Sequence, residues 1–149
     1  MTTKIFIPRD SSAIGLGSNA VAESFARVAH STKADVEIVR NGSRGLIWME
    51  PLVEVETNAG REGYSNVITD DVESLFKSLV TGEGDHEKNV GLVEDIPYLK
   101  NQERLCFARN GVTDPTSIED YLDKDGFKGL KAALNMDGKS IVETVTQSG

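Results

Sequence analysis

Val36-Glu-Ile-Val-Arg-Asn-Gly-Ser-Arg-Gly-Leu-Ile-Trp48 is the stretch on which the reading of this chain turns. Val36 to Val39 is β-prone, because branched side chains fit a pleated sheet. The strand runs into Asn41-Gly-Ser-Arg-Gly45, where two glycines, an Asn and a Ser allow positive φ and turn backbone N–H groups to one side. Such a concavity serves an anion, a cofactor or a metal cluster, or is simply a turn.

Working outward from it, Lys4-Ile-Phe-Ile-Pro8 reads as a first strand closed by proline. Arg9 to Gly17 is expected as a polar loop. Ser18 is placed as the N-cap of a helix to about Ser31, with Val21, Phe25, Val28 and Ala29 on one face. Leu52 to Thr57 alternates apolar and acidic residues and is expected as a half-buried strand, returning through Asn58-Ala-Gly60 as a hairpin over Arg61 to Val67. Thr69-Asp-Asp then caps a helix whose Val72, Leu75, Phe76, Leu79 and Val80 recur at helical spacing, with Gly82 as its stop. The order is β-α-β-β-β-α, a sheet packed by two helices.

From Gly82 the composition becomes polar through an expected exposed connector, and the domain boundary is placed there, giving units 1–82 and 83–149. Beyond it, short helices are expected over Pro97 to Phe107, Pro115 to Lys124, Phe127 to Leu134 and Lys139 to Gln147. Asp114-Pro115 and Asp137 act as helix starts. Their few large apolar residues suit an arm that packs on something else.

The chain has 149 residues, 38% hydrophobic and 27% charged, as in a globular domain. A net charge of −8 argues against nucleic acid and anionic membranes as partners. Neither a signal peptide nor a membrane-spanning apolar run is legible, so a cytoplasmic protein is expected. One cysteine, Cys106, excludes an internal disulfide and an all-cysteine metal site within one chain.

Candidate chemistry is sparse. Gly15-Leu-Gly-Ser-Asn-Ala20 matches G-x-G-x-x-A before a helix, and Arg40 suits a 2′-phosphate, which makes a small nucleotide- or anion-binding domain the alternative reading. Against it, Pro8 to Ser12 separate the glycines from the strand, so a plain loop is expected. His30 and His86 are expected at the surface, and Cys106, between Leu105 and Phe107, as a buried, inert thiol. Glu54/Glu56 fit a solvent-facing strand side and Asp70/Asp71 a helix N-terminus. No catalytic, cofactor-binding or metal-ligating residue is assigned.

Gln102-Glu-Arg-Leu, Gly111-Val-Thr-Asp-Pro115, Ser117-Ile-Glu-Asp-Tyr-Leu122, Gly126-Phe-Lys-Gly-Leu130, Ala133-Leu134, Ile141-Val142, Val145 and Ser148-Gly149 occur in order and with characteristic spacing. This half resembles the approach to the flavin site in the flavoprotein subunits of NAD-linked dehydrogenases, including that of respiratory complex I. In that family a Leu-Arg-Gly-Arg-Gly-Gly run follows and receives the FMN phosphate; NADH and iron–sulfur sites come later. The chain is therefore expected to stop just before the flavin domain.

Lys4-Ile-Phe-Ile-Pro-Arg-Asp-Ser-Ser-Ala13, Val36 to Leu46, Glu50-Pro-Leu-Val-Glu-Val-Glu56 and Asp95-Ile-Pro-Tyr-Leu-Lys-Asn-Gln-Glu-Arg104 narrow the match. They resemble the β (diaphorase) subunit of NAD-dependent, molybdenum- or tungsten-containing formate dehydrogenases. The resemblance implies an α/β (α+β) thioredoxin-like domain, then a helical lead-in to an FMN domain, within a complex that passes electrons from formate through iron–sulfur centres and FMN to NAD⁺. The implied partners are the remaining β-subunit domains and other subunits.

Related thioredoxin-like ferredoxins hold a [2Fe-2S] cluster with C-x4-C after the first strand and C-x3-C after the second. Laid on this chain, the ligand positions fall at Pro8, Ala13, Asn41 and Gly45, none a thiol, so no cofactor is expected in this chain. Arg44 and Trp48 then become the expected protein contacts, since Arg and Trp anchor interfaces.

Overall fold

Thr3–Pro8 forms β1, and Val36–Asn41 forms β2 beside it in parallel, with Ile5 opposite Ile38 and Pro8 opposite Asn41. Parallel neighbours need a crossover. It is supplied by α1 (Ser11–Gly15) and α2 (Ser18–Thr32). Strand β3 (Val53–Thr57) runs antiparallel to β1 and turns through Asn58 and Ala59 into β4 (Gly60–Tyr64). A fifth strand, β5 (Asn89–Leu92), pairs antiparallel with β4, so the sheet order is β2-β1-β3-β4-β5. The computed structural model describes residues 2–81 and 86–149.

One sheet face carries Ile5, Ile7, Val53, Val55 and Tyr64, and two helices cover it. Helix α2 contributes Val21, Ala22 and Phe25; α3 (Val72–Thr81) contributes Val72, Leu75 and Phe76. The Phe25 and Phe76 rings meet at 6.3 Å. Burying aromatic and aliphatic side chains of this size stabilises the fold by about 1.5–3 kcal/mol each. Both helical faces fall where their periodicity predicts, although Val80 stays half exposed.

The opposite face is also covered, which the alternation in β3 does not suggest. Gly63 points from β4 toward Val93 and Leu52, where a Cβ would come within 2.9 and 3.4 Å. Leu46, Leu52, Val93, Ile96 and Leu99 form a second buried cluster there. Of its later members, Val93 comes from the turn Val93–Asp95, Leu99 from α4 (Pro97–Lys100), and Ile96 lies between the two. Glu54 is therefore buried at 1% exposure, whereas Glu56 on the same strand is exposed.

Several local expectations are corrected. Arg9 to Gly17 contains the helical turn α1. Ser18 is buried inside the first turn of α2, and Gly17, at φ +98°, occupies the cap position, so no hydroxyl caps this helix. Within the expected Thr69-Asp-Asp start, which forms the single turn Thr69–Asp71, it is Asp71 that closes the beginning of α3 by accepting the Ile68 N–H at 2.8 Å. Only Pro97–Lys100 of the expected Pro97 to Phe107 helix is helical, and turns follow. Cys106 is exposed, because the segment around it contributes nothing to either core. Gly82, the expected helix stop, and the connector through Asp85 lie outside the described residues.

The sequence reading puts the boundary at residue 82; the compact units are Met1–Pro115 and Thr116–Gly149. The second unit holds α5 (Ile118–Asp123), α6 (Lys128–Ala133) and α7 (Gly138–Gln147). Ser117 caps α5 by accepting the Asp120 N–H at 3.1 Å, in place of the expected start at Asp114-Pro115. Asp137 caps α7 as expected, accepting the Ser140 N–H at 2.9 Å. Tyr121 and Phe127 meet edge-on at 4.9 Å, yet Leu130, Leu134, Val142 and Val145 are all exposed.

Candidate functional site

The loop leaving β2 is held from three sides. Asn41, at 1% exposure, donates from Nδ2 to the Gly111 carbonyl at 3.0 Å. The Gly42 N–H reaches the Thr113 carbonyl at 2.8 Å. Ser43 donates to Glu50 Oε1 at 2.5 Å and accepts the Gly45 N–H at 2.9 Å, while Gly45 takes φ +87°. The amides of Gly42 and Gly45 thus point to internal acceptors rather than into an anion cradle.

Arg44 turns inward. Its Nε and Nη2 donate to Glu54 Oε1 and Oε2 at 2.9 and 2.8 Å, and Nη1 donates to Glu94. Arg61 adds a contact to Glu54 Oε2 at 3.3 Å, donates to the Gly111 carbonyl at 2.9 Å, and lays its guanidinium 3.5 Å from the Phe6 ring centroid. Bidentate arginine–carboxylate bonding explains how so much charge is accommodated in the interior. Burial opposes the Arg44 charge, but the hydrogen bonds and attraction of Glu54 and Glu94 outweigh it and raise the pKa. Glu54 is therefore not a solvent-facing carboxylate but the centre of this network.

Glu50 is buried as well, at 3% exposure, and burial raises its pKa. Hydrogen bonds from Ser43 and the Leu52 N–H oppose the shift, and the nearby charges of Asp10 and Glu54 add to it.

Trp48 is placed quite differently from Arg44. It lies in the turn Ile47–Met49, 57% exposed, and packs edge-on against Tyr98 at 5.1 Å. Ile47 beside it is equally exposed, and Tyr98 is half exposed. Asn66 fixes the turn from below, donating to the Trp48 carbonyl at 3.0 Å. Of the two expected contact residues, Arg44 is thus an internal ion-pair partner and Trp48 an exposed aromatic side chain.

The dinucleotide-like stretch fares less well as a phosphate site. Gly15 and Gly17 form the junction between α1 and α2. Arg40 donates to the carbonyls of Ile7 and Pro8 at 3.0 and 3.1 Å and to Asn19 Oδ1 at 2.8 Å, so its guanidinium serves the backbone. A groove of about 850 Å³ alongside α2 is lined by Glu23, Asp70 and Glu73 against Arg27, a balance that disfavours a polyphosphate. His30 is exposed at the end of α2, as expected. His86 is half buried, its Nε2 3.1 Å from Ser74 Oγ and its ring against Tyr64.

The fold itself has known counterparts. No protein-family model matches the chain. Among solved structures, the thioredoxin-like [2Fe-2S] ferredoxin from Aquifex aeolicus is similar at 19% identity and TM-score 0.51, over 59% of this chain and 88% of that one. A cysteine-to-serine variant of the same ferredoxin aligns at 22% identity and TM-score 0.52, over 60% of this chain and 98% of that one. The chain therefore has a thioredoxin-like α/β fold with a five-stranded mixed sheet and additional C-terminal helices. A [2Fe-2S] cluster does not fit the donors available here. Pro8, Ala13, Asn41 and Gly45 offer no thiolate, Ala13 is fully buried, and Asn41 commits its Nδ2 to Gly111 and has only a neutral, buried Oδ1 left to offer. Among the described residues, no group of three or more His, Cys, Asp or Glu is arranged to hold a metal ion. No helix among them is long and apolar enough to cross a membrane.

Proposed function

We propose that this chain corresponds to the N-terminal region of the β subunit of an NAD-dependent formate dehydrogenase, and that it acts there as a scaffold and docking element. The observation that carries this reading is a ferredoxin-type thioredoxin fold with no thiolate at the cluster loops, in a chain whose motifs follow the order of that subunit. In this reading the electrons of formate pass through iron–sulfur centres and FMN to NAD⁺ elsewhere in the complex. This region carries no redox group and holds its neighbours in place.

The exposed Trp48–Tyr98 pair is the anchor offered to a neighbouring domain or subunit, since an aromatic side chain buried at an interface contributes more than most others. Arg44 supports the same loop from inside. The test is reconstitution: the chain is mixed with the remaining FMN-loaded β-subunit domains and with the other subunits, and complexes are separated by size. Co-elution that weakens in Trp48→Ala is expected. Failure to bind any of these components overturns the proposal.

A further inference from the structure

The loops leaving β1 and β2 lie side by side because the strands are parallel and end in register, Pro8 opposite Asn41. The Arg9 N–H bonds the Asn41 carbonyl at 2.8 Å. Both loops are then fastened to one later segment, Gly111 to Asp114. From the first loop, Arg9 Nη1 meets Asp114 Oδ2 at 3.1 Å. From the second, Asn41 Nδ2 bonds the Gly111 carbonyl at 3.0 Å and the Gly42 N–H bonds the Thr113 carbonyl at 2.8 Å. Gly111 is the joint of this strap. Its carbonyl also accepts from Arg61, its φ is +78°, and a Cβ there would lie 2.0 Å from Arg44 Cδ.

We propose that the Gly111 to Asp114 strap is a metal-free clasp, making the cross-link between these two loops that an iron–sulfur cluster makes when both loops carry thiolates. A cluster joins two loops through four metal–sulfur bonds. Here two hydrogen bonds to backbone carbonyls and one partly exposed ion pair make the junction, with the buried Asn41 side chain at its centre. The second loop cannot open without breaking bonds to residues some 70 positions later in the chain, which are the last residues of the first compact unit. The clasp stands independently of the subunit assignment, because every contact in it lies within this chain.

Amide hydrogen exchange and thermal unfolding of the full chain test it. In the wild type the Gly42 N–H should exchange about 100-fold more slowly than in an unstructured loop, and Asn41→Ala should remove at least about tenfold of that protection. Its melting temperature should be the same with and without a strong iron chelator. If Asn41→Ala does not fold, Asp114→Asn provides the second reading, with Gly42 exchange accelerated at least about threefold. Gly42 exchanging at the rate of a free loop overturns the proposal, as does Gly42 exchange unchanged in the folded variant. So does a stoichiometric iron–sulfide chromophore that raises the melting temperature after anaerobic reconstitution.

Discussion

Arg44 and Glu54 form a bidentate ion pair inside the protein, with N–O distances of 2.9 and 2.8 Å and side-chain exposures of 4% and 1%. Both charges have lost their water, and each depends on the other for compensation. The pair ties the β2 loop to the middle of β3, and Arg61 and Glu94 close the network around it.

Removing one partner should therefore be far worse than removing both. Arg44→Ala is expected to lose about 3–5 kcal/mol in urea unfolding, because the Glu54 carboxylate stays buried without its main partner. Arg44→Met combined with Glu54→Leu should recover much of that loss. Equal losses in the single and double variants would show that the pair is not coupled.

Gly111→Ala should be among the most disruptive single-methyl changes in the chain. The added Cβ has no room beside Arg44, and the left-handed backbone costs about 1–2 kcal/mol for a residue with a Cβ. A lowered midpoint in urea, together with loss of Gly42 protection, is the expected result. Gly129→Ala, inside α6 with nothing within 4 Å, is the control and should not lower the midpoint, because alanine favours a helix over glycine by about 1 kcal/mol.

Glu50 should make stability fall as pH rises. Burial raises its pKa, so the folded state holds the proton more tightly than the unfolded chain. Its stabilising contribution is fully present below the unfolded value of about 4.3 and is lost as pH rises through the folded value. Urea unfolding of wild type and Glu50→Gln across this range should show the variant gaining on the wild type with increasing pH. A constant difference would mean that Glu50 titrates alike in both states.

Trp48→Ala and Tyr98→Ala should separate stability from assembly. Both side chains are at least half exposed, so each change should move unfolding by roughly 0.5 kcal/mol or less. Binding to a partner seated on the pair should drop by about 2 kcal/mol or more. Titration calorimetry against the reconstituted complex provides the measurement.

Helices α2 and α3 were legible because their apolar residues recur at helical spacing, and each apolar face does meet the sheet. The hairpin was legible from Asn58-Ala-Gly60, where Gly60 takes the φ of +131° that the turn requires. Strand β5 was not legible: Asn89-Val-Gly-Leu92 is four residues with a central glycine and no alternation, and only pairing with β4 makes it a strand. Cys106 is exposed, against its sequence context, for a related reason. Apolar neighbours in sequence do not bury a thiol when the segment contributes nothing to either core.

What the sequence determined by itself is what depends on near neighbours: periodicity, turn chemistry, the capping role of Asp137, and the lack of thiols at the two loops. The burial of Glu54 and Arg44 was decided elsewhere. An acidic residue alternating with valines reads as solvent-facing unless something covers that face, and here the cover comes from Val93 to Leu99 and from Gly111. Likewise, Asn41-Gly-Ser-Arg-Gly45 has the composition of an open cradle. Tertiary contacts turn it into a closed, hydrogen-bonded joint: Ser43 with Glu50, Arg44 with Glu54 and Glu94, and Asn41 and Gly42 with residues some 70 positions away.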